Sequence, residues 1–334
     1  MNSQNIAGPG AGRQADATQS VRLLFLDRDG TLNKTLNGRP PNAPGEVELL
    51  PNTNQVLARW VTEGWRPVVI TNQGGVASGY MSEAQAHAVQ EAVISALQVA
   101  VEVSFLCPHM AGASVAKYDL DCPNRKPRPG FILAALDQFG ARPQDCLFVG
   151  DSITDQQAAE AVDVPFQWAD QFFGRPIDRG FRTKQGQWVQ IRQVDDREMQ
   201  SMWESMPEPA RTQSAANLAF ESPRQQDDLY LTAQRRNRIV GSLTITRKRT
   251  RGDRGDADLA LWVSTSHQGA GIDQTLMQVG MEWSGRQRDL YRLCVEVSDT
   301  DAPFARLCCR LGFAEQDSNP RSETGSILTL TCYQ

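Results

Sequence analysis

Two carboxylates separated by one residue directly follow a fully apolar run near the start of this chain of 334 residues. The run is Leu23-Leu24-Phe25-Leu26, and the carboxylates are Asp27 and Asp29. Four consecutive apolar residues predict a strand that is buried on both faces, as in a parallel sheet. Charges at the end of such a strand are costly to bury, so the pair predicts a functional site. The alternative is an ordinary surface turn, since Asp-Gly pairs are common in turns.

The segment from residue 21 to about residue 173 alternates short apolar runs with amphipathic stretches. A helix is predicted to begin after Ser82, which forms a capping-box pattern with Gln85, and a second one to run from Pro129 to Gly140. Alternation of this kind predicts an α/β fold, a mostly parallel sheet with helices on both faces, which binds ligands at the carboxyl ends of its strands. The predicted strands are residues 23–26, 68–70, 101–106 and 146–149.

The second half of the chain predicts a separate α+β domain. Its predicted strands are residues 188–194, 239–246, 259–263 and 290–297, with a charged loop at 247–258. Residues 174–187 carry few apolar groups and several turn formers, which predicts a linker. We therefore expect a disordered tail at 1–20, a first domain at 21–173, the linker, and a second domain at 188–334.

Composition narrows the range of partners. A formal net charge of -5 argues against binding nucleic acid through bulk charge, and no apolar stretch has the length of a membrane-spanning helix. Seven cysteines, an odd number, favour a reducing compartment over a disulfide framework. The sequence predicts a cytoplasmic protein that acts on a small molecule, and it leaves the oligomeric state open.

Polar residues also follow the other predicted strands of the first domain. Thr71-Asn72-Gln73-Gly74-Gly75 suits the binding of an oxyanion, because glycines let backbone N–H groups converge on a phosphate. Asp151 is a candidate Mg²⁺ ligand with Asp155 behind it, and Lys126 could hold phosphoryl oxygens. Together with Asp27 as nucleophile and Asp29 as proton shuttle, these residues predict Mg²⁺-dependent phosphoryl transfer.

These motifs resemble those of the haloacid dehalogenase superfamily over residues 21–173. The combination of Asp-Arg-Asp-Gly-Thr at 27–31, Thr-Asn-Gln at 71–73, Cys-Pro-His at 107–109 and Arg-Lys-Pro at 125–127 is similar to the branch of heptose bisphosphate and histidinol phosphate phosphatases. The resemblance implies a Rossmann-like sheet and a phosphatase of small metabolites, most simply sugar phosphates. It also implies short loops, such as residues 37–46, in place of a large cap.

The resemblance further implies a role for each matching residue. Asp27 would carry an aspartyl-phosphate, and Asp29 would act as acid and then as base. Mg²⁺ would be held by Asp27, the Asp29 carbonyl and Asp151. Thr71 and Lys126 would hold the phosphoryl group, and Asp155 would support the metal site. Arg125 would contact a distal group of the substrate, and Asn72 would bind substrate.

Cys107, His109 and Cys122 have a spacing that could hold Zn²⁺ as a structural metal. The family pattern supplies a fourth ligand where this chain has Asn124, a poor zinc ligand. The site could therefore be completed by water or Asp121, be weakened, or be lost. Alternatively, Cys107 and Cys122 are ordinary partly buried thiols.

Residues 188–334 resemble the GNAT N-acetyltransferase fold. Its cofactor loop matches at Gln268, Gly269 and Gly271, which implies a possible acyl-CoA site, although Asp273 replaces a small residue. The tyrosine acid of that family is Cys308 here. Three functions stay open: a phosphatase alone, a bifunctional phosphatase and acyltransferase, or a phosphatase with a non-catalytic binding or scaffold domain, with histidinol phosphate as the alternative substrate.

Overall fold

The computed structural model describes residues 20–36, 39–195, 197–198, 201, 228–236, 238–248, 255–298, 302–315 and 327–333. The predicted tail at 1–20 lies outside the described residues apart from Ser20. Among those residues, no helix combines the length and the apolar character that a membrane crossing requires.

Five parallel strands form the first sheet, in the order β3-β2-β1-β4-β5. Its central strand β1 is fully buried from Leu23 to Leu26, because Leu23 and Phe25 pack into one apolar cluster and Leu24 and Leu26 into another on the opposite face. The predicted parallel α/β sheet is confirmed. The strands are β1 (Arg22–Leu26), β2 (Trp65–Asn72), β3 (Val103–Cys107), β4 (Leu147–Gly150) and β5 (Phe166–Trp168).

Helices cover this sheet, and two of them have the ends that the sequence predicts. Ser82 caps the third helix, with both hydrogen bonds of the capping box present. Gly140 ends the fourth in the left-handed conformation. The helices are α1 (Thr53–Thr62), α2 (Gly74–Ala77), α3 (Glu83–Ala96), α4 (Gly130–Phe139), α5 (Ile153–Glu160) and α6 (Ala169–Phe173).

The second sheet is mixed, in the order β12-β13-β11-β10-β9-β8-β7-β6, and in the described part of the chain only β10 and β11 pair in parallel. This arrangement confirms the α+β prediction. The strands are β6 (Asp178–Arg182), β7 (Trp188–Gln193), β8 (Leu229–Arg235), β9 (Arg238–Arg247), β10 (Asp256–Val263), β11 (Arg292–Ser298), β12 (Ala314–Glu315) and β13 (Ile327–Tyr333), with helices α7 (Ile272–Ser284) and α8 (Ala302–Arg310).

Strand β6 lies inside the segment for which the sequence predicts a linker. It pairs with β7, and its sequence lacks apolar alternation because its buried position 179 is an arginine. Arg179 is fully buried, with two hydrogen bonds to Asp170 of 2.7 and 2.9 Å and two to Glu282 of 2.8 and 3.4 Å. Since Asp170 belongs to α6 and Glu282 to α7, this arginine joins the two sheets' helices.

Candidate active site

The predicted catalytic residues meet at the carboxyl ends of β1, β2 and β4. Asp27 follows β1, Thr71 is the next-to-last residue of β2, and Asp151 follows β4. Close packing of these loops requires a glycine at position 30, where φ is +86° and a Cβ atom would lie 2.2 Å from a carboxylate oxygen of Asp151. The Gly30 turn thus lets the Asp151 carboxylate approach the backbone that follows Asp27.

Lys126 lies in the centre of this cluster. Its ammonium group forms ion pairs with Asp27 and with Asp155, the latter at 2.7 Å, and donates to the Ile70 carbonyl at 2.9 Å. Burial by itself lowers the pKa of Lys126, but the carboxylates of Asp155 and Asp27 outweigh burial and raise it. The lysine is therefore held as a cation beside the candidate nucleophile.

One lysine does not balance the carboxylates around it. Burial, followed by the charges of Asp155 and Asp29, raises the pKa of Asp27 to about 7, although Lys126 opposes the rise. Burial, followed by the charges of Asp27 and Asp155, raises the pKa of Asp151 well above its usual value. Among the described side chains, none forms a cationic ion pair with Asp151. Carboxylate oxygens of Asp27, Asp151 and Asp155 lie within 4.8 Å of one another, an all-oxygen set that fits a hard divalent cation such as Mg²⁺.

Three neighbours to which the sequence analysis assigns no role of their own hold the carboxylate of Asp29. Arg28 is fully buried and donates to both oxygens, at 2.8 and 3.2 Å. Gln73 donates to Oδ2 at 2.7 Å, and Asn33 donates to Oδ1 at 3.0 Å. The only sequence signal for Arg28 is its position between the two aspartates.

Gln73 also orients Thr71. Its Nε2 donates to the Thr71 hydroxyl oxygen at 2.8 Å, and Thr71 is 1% exposed. With its oxygen already accepting this hydrogen bond, the hydroxyl can donate its own proton into the site.

Asn72 and Arg125, both predicted to bind substrate, have different surroundings. Both polar atoms of the Asn72 side chain bind the backbone of Lys126, donating to its carbonyl at 2.9 Å and accepting from its N–H at 3.1 Å. Arg125 donates to the His109 carbonyl at 2.8 Å and lies close to Gly74. The structure thus uses Asn72 to position Lys126 and leaves the guanidinium of Arg125 beside the glycine turn.

The predicted zinc ligands come together. Ligand atoms of Cys107, His109 and Cys122 lie within 4.8 Å of one another, and the two cysteines are buried. Burial raises the pKa of the Cys107 thiol to about 11, and neighbouring Cys122 adds to this rise. The Asn124 side chain lies against Gly130, where an added Cβ would be 2.2 Å from its Oδ1. Three soft ligands are therefore assembled, one fewer than closed zinc sites use.

The predicted acyl-CoA loop precedes α7. Gly269 and Gly271 have positive φ values of 74° and 88°, and Gly271 is the residue before the helix. The neighbouring turn between β6 and β7 reaches this loop, because the Lys184 N–H donates to the Ala270 carbonyl at 3.0 Å. Cys308, at the position of the family's tyrosine, is 0% exposed within the apolar core of the second sheet. The loop thus keeps a bent backbone, but the thiol is enclosed.

Two protein families match this chain. Residues 42–163 match the family of haloacid dehalogenase-like hydrolases, and residues 188–313 match the acetyltransferase (GNAT) family. The D-glycero-beta-D-manno-heptose-1,7-bisphosphate 7-phosphatase of Escherichia coli (strain K12) is 33% identical over 149 residues, which are 44% of this chain and 77% of that protein. The corresponding enzyme of Mesorhizobium japonicum is 35% identical, over 43% of this chain and 67% of its own.

Solved structures align with each half of the chain. The D,D-heptose 1.7-bisphosphate phosphatase from B. bronchiseptica, crystallised with magnesium and phosphate, is 30% identical with a TM-score of 0.39, covering 44% of this chain and 79% of its own. The GNAT domain of S. lividans PAT is 16% identical with a TM-score of 0.37, covering 47% and 97%. By its identity to the heptose bisphosphate 7-phosphatases, the chain belongs to the haloacid dehalogenase-like hydrolases, and its residues 188–313 match the acetyltransferase (GNAT) family.

Proposed function

We propose that this protein is a Mg²⁺-dependent phosphatase of a sugar bisphosphate of the heptose type, with Asp27 as its nucleophile. The observation that supports this most strongly is the buried group of Asp27, Asp151 and Asp155 around Lys126, because its excess negative charge fits a divalent cation. Asp27, the Asp29 carbonyl and Asp151 would hold Mg²⁺. The cation would offset the charge of the phosphoryl oxygens.

The residues divide the reaction into two displacements. A carboxylate oxygen of Asp27 attacks phosphorus, the bond from phosphorus to the sugar oxygen breaks, and Asp29 gives that oxygen a proton. Asp29 then takes a proton from water, whose oxygen attacks phosphorus and releases Asp27 and inorganic phosphate. Lys126 and Thr71 hold the phosphoryl oxygens during both steps.

A substrate panel with a nucleophile variant tests this function. The full chain with Mg²⁺ should release phosphate from D-glycero-D-manno-heptose 1,7-bisphosphate faster than from histidinol phosphate. Asp27→Asn should lower kcat by a factor on the order of 10⁴ or more, as expected when a nucleophile is removed. Asp137→Asn, on the exposed face of α4, is the matched control and should keep full activity. Equal rates in wild type and Asp27→Asn would exclude the assignment.

For the two other sites we propose different outcomes. Zinc binds to Cys107, His109 and Cys122 with less than full occupancy, because the fourth ligand position holds Asn124. The second domain acts in packing and binding, without acyl transfer, because Cys308 is enclosed where the family's acid would be. We also place the protein in the cytoplasm, since its seven cysteines are all thiols and six of them are buried.

A further inference from the structure

The hairpin of β6 and β7 is fixed to the loop that carries Asp151. The Gly180 N–H donates to the Asp151 carbonyl at 2.8 Å, and Gly180 forms a parallel bridge with Ser152. On the preceding residue, the buried side chain of Arg179 holds the strand in place through ion pairs with Asp170 and Glu282. A strand of the second sheet is therefore hydrogen-bonded directly to the backbone of a candidate metal ligand.

One face of this hairpin carries residues suited to a substrate. Side chains alternate along a strand, so positions 178, 180 and 182 share a face, and Trp188 stands opposite Arg182 in the register of β6 and β7. The indole of Trp188 covers Gly180: a Cβ atom at position 180 would lie 2.0 Å from it. Trp188 is nevertheless 43% exposed, which leaves part of its ring open beside the Asp151 loop.

The face also carries a positive charge, Arg182, in addition to that of Arg125, which the sequence predicts to contact the substrate. The guanidinium of Arg182 lies 5.8 Å from the centre of the Trp188 ring and donates to the Gly186 carbonyl. Burial lowers the pKa of Arg125, the thiol of Cys107 opposes this fall, and the positive charge of Arg182 adds to it. Among the described residues, neither arginine forms an ion pair with a carboxylate. The acidic residue of this face, Asp178, accepts from Gln190 at 2.6 Å.

We propose that the hairpin forms one wall of the phosphatase pocket, where Trp188 packs on the sugar and Arg182, together with Arg125, binds the second phosphate of a bisphosphate. Two guanidinium groups that have no carboxylate partner among the described residues suit a phosphate, which each can meet with two parallel hydrogen bonds. An exposed indole offers the flat apolar surface that a sugar ring can cover. In this way the second domain would take the place of a large cap, where the family resemblance implies only short loops in the first domain. This inference rests on the proposed function.

Steady-state kinetics of the full chain test both residues with three phosphate donors: the heptose 1,7-bisphosphate, the heptose 7-phosphate and acetyl phosphate. Arg182→Gln should lower kcat/KM for the bisphosphate about 10-fold to 100-fold more than for the 7-phosphate, as expected for a lost charged hydrogen bond. Trp188→Ala should lower kcat/KM for both sugar phosphates about tenfold more than for acetyl phosphate.

Two matched variants serve as controls. Arg142→Gln removes an exposed arginine shortly before β4, at the amino ends of the strands of the first sheet and therefore away from the site. Tyr291→Ala removes an exposed aromatic ring that packs on Gly255 as Trp188 packs on Gly180. Both should behave as wild type with all three donors. If Arg182→Gln and Trp188→Ala match these controls while the wild type turns over the bisphosphate, the hairpin proposal is wrong and the phosphatase function stands.

Calorimetry tests the opposite case, in which the phosphatase function is wrong but the hairpin proposal is right. Binding of the bisphosphate is measured in the Asp27→Asn background, with and without each hairpin variant. Suppose that the wild type hydrolyses none of the donors but that binding of the bisphosphate depends on Arg182 and Trp188. This result would support the hairpin proposal and reject the phosphatase function. No binding and no turnover would reject both.

Discussion

The two halves of the molecule treat their candidate sites differently. In the first domain, the side chains around Asp27 and Asp29 hold one another through buried ion pairs and hydrogen bonds. In the second, the loop before α7 keeps its bent backbone at Gly269 and Gly271, while the candidate acid Cys308 is enclosed in the core. A preserved backbone therefore indicates a fold, whereas side chains that hold one another in place indicate a site of chemistry.

After the nucleophile itself, the largest loss is expected at Lys126, which lies between the buried carboxylates of Asp27 and Asp155. Lys126→Met should lower kcat by about 10²–10³ through the lost phosphoryl contact. It should also lower the free energy of unfolding by about 3–5 kcal/mol, because Asp27 and Asp155 lose their buried partner. Urea unfolding with a metal chelator present and phosphate release measure the two losses. Lys117→Met, which removes an exposed lysine, is the control; equal stability of the two variants would contradict the role of Lys126.

Arg179 tests the ion pairs at the boundary between the two halves. Arg179→Leu should destabilise the chain by about 3–5 kcal/mol, since it leaves Asp170 buried without its cation. Glu282→Gln, at the more exposed end of the same network, should cost about 1 kcal/mol or less. Urea unfolding of both variants measures the two losses in the free energy of unfolding. Comparable losses would show that the contact between Arg179 and Asp170 is not the main stabilising part of the network.

Asn72 separates positioning from substrate contact. Asn72→Ala should lower kcat about 10-fold to 100-fold with little change in KM, because its amide holds the backbone of Lys126. The measurement is a saturation curve with the preferred sugar phosphate. A rise in KM at unchanged kcat would instead favour the sequence prediction that Asn72 binds substrate.

The three-ligand cluster offers a smaller test by gain of function. Asn124→Cys should raise zinc content toward one equivalent, since it adds the fourth ligand of the family pattern. Bound zinc should then raise Tm by a few degrees, and a chelator should reverse the rise. Asn124→Ala is the matched control. Zinc content that is the same in all three proteins would contradict the proposed ligand set.

The smallest effect is expected in the second domain. Acetyl-CoA should leave the Tm of the full chain unchanged, whereas a ligand bound at a hundred times its Kd adds about 2.7 kcal/mol of stability. Differential scanning calorimetry measures this. A shift that disappears in Gly271→Val would show that the loop does bind acyl-CoA and would narrow the contrast between the halves.

The sequence predicts best where one local pattern determines the result. The apolar run before Asp27 forms a buried strand, and the Ser82 capping box begins a helix, because each is marked by a pattern of adjacent residues that the sequence displays. The burial of Arg28 depends on Gln90, 62 positions away, which no local pattern reveals. Likewise, β6 was not predicted because its buried arginine needs partners in α6 and α7. The roles of the site residues and the domain boundaries stay predictions.

The hydrogen bond from Gly180 to the Asp151 carbonyl limits how this two-domain chain can change in evolution. In a fusion of independent modules, either part can be exchanged for a homologue without altering the other. Here the junction itself is shared structure, so recombination at residues 174–187 would remove backbone support from the phosphatase site. The two domains are therefore expected to be inherited and to diverge as one unit.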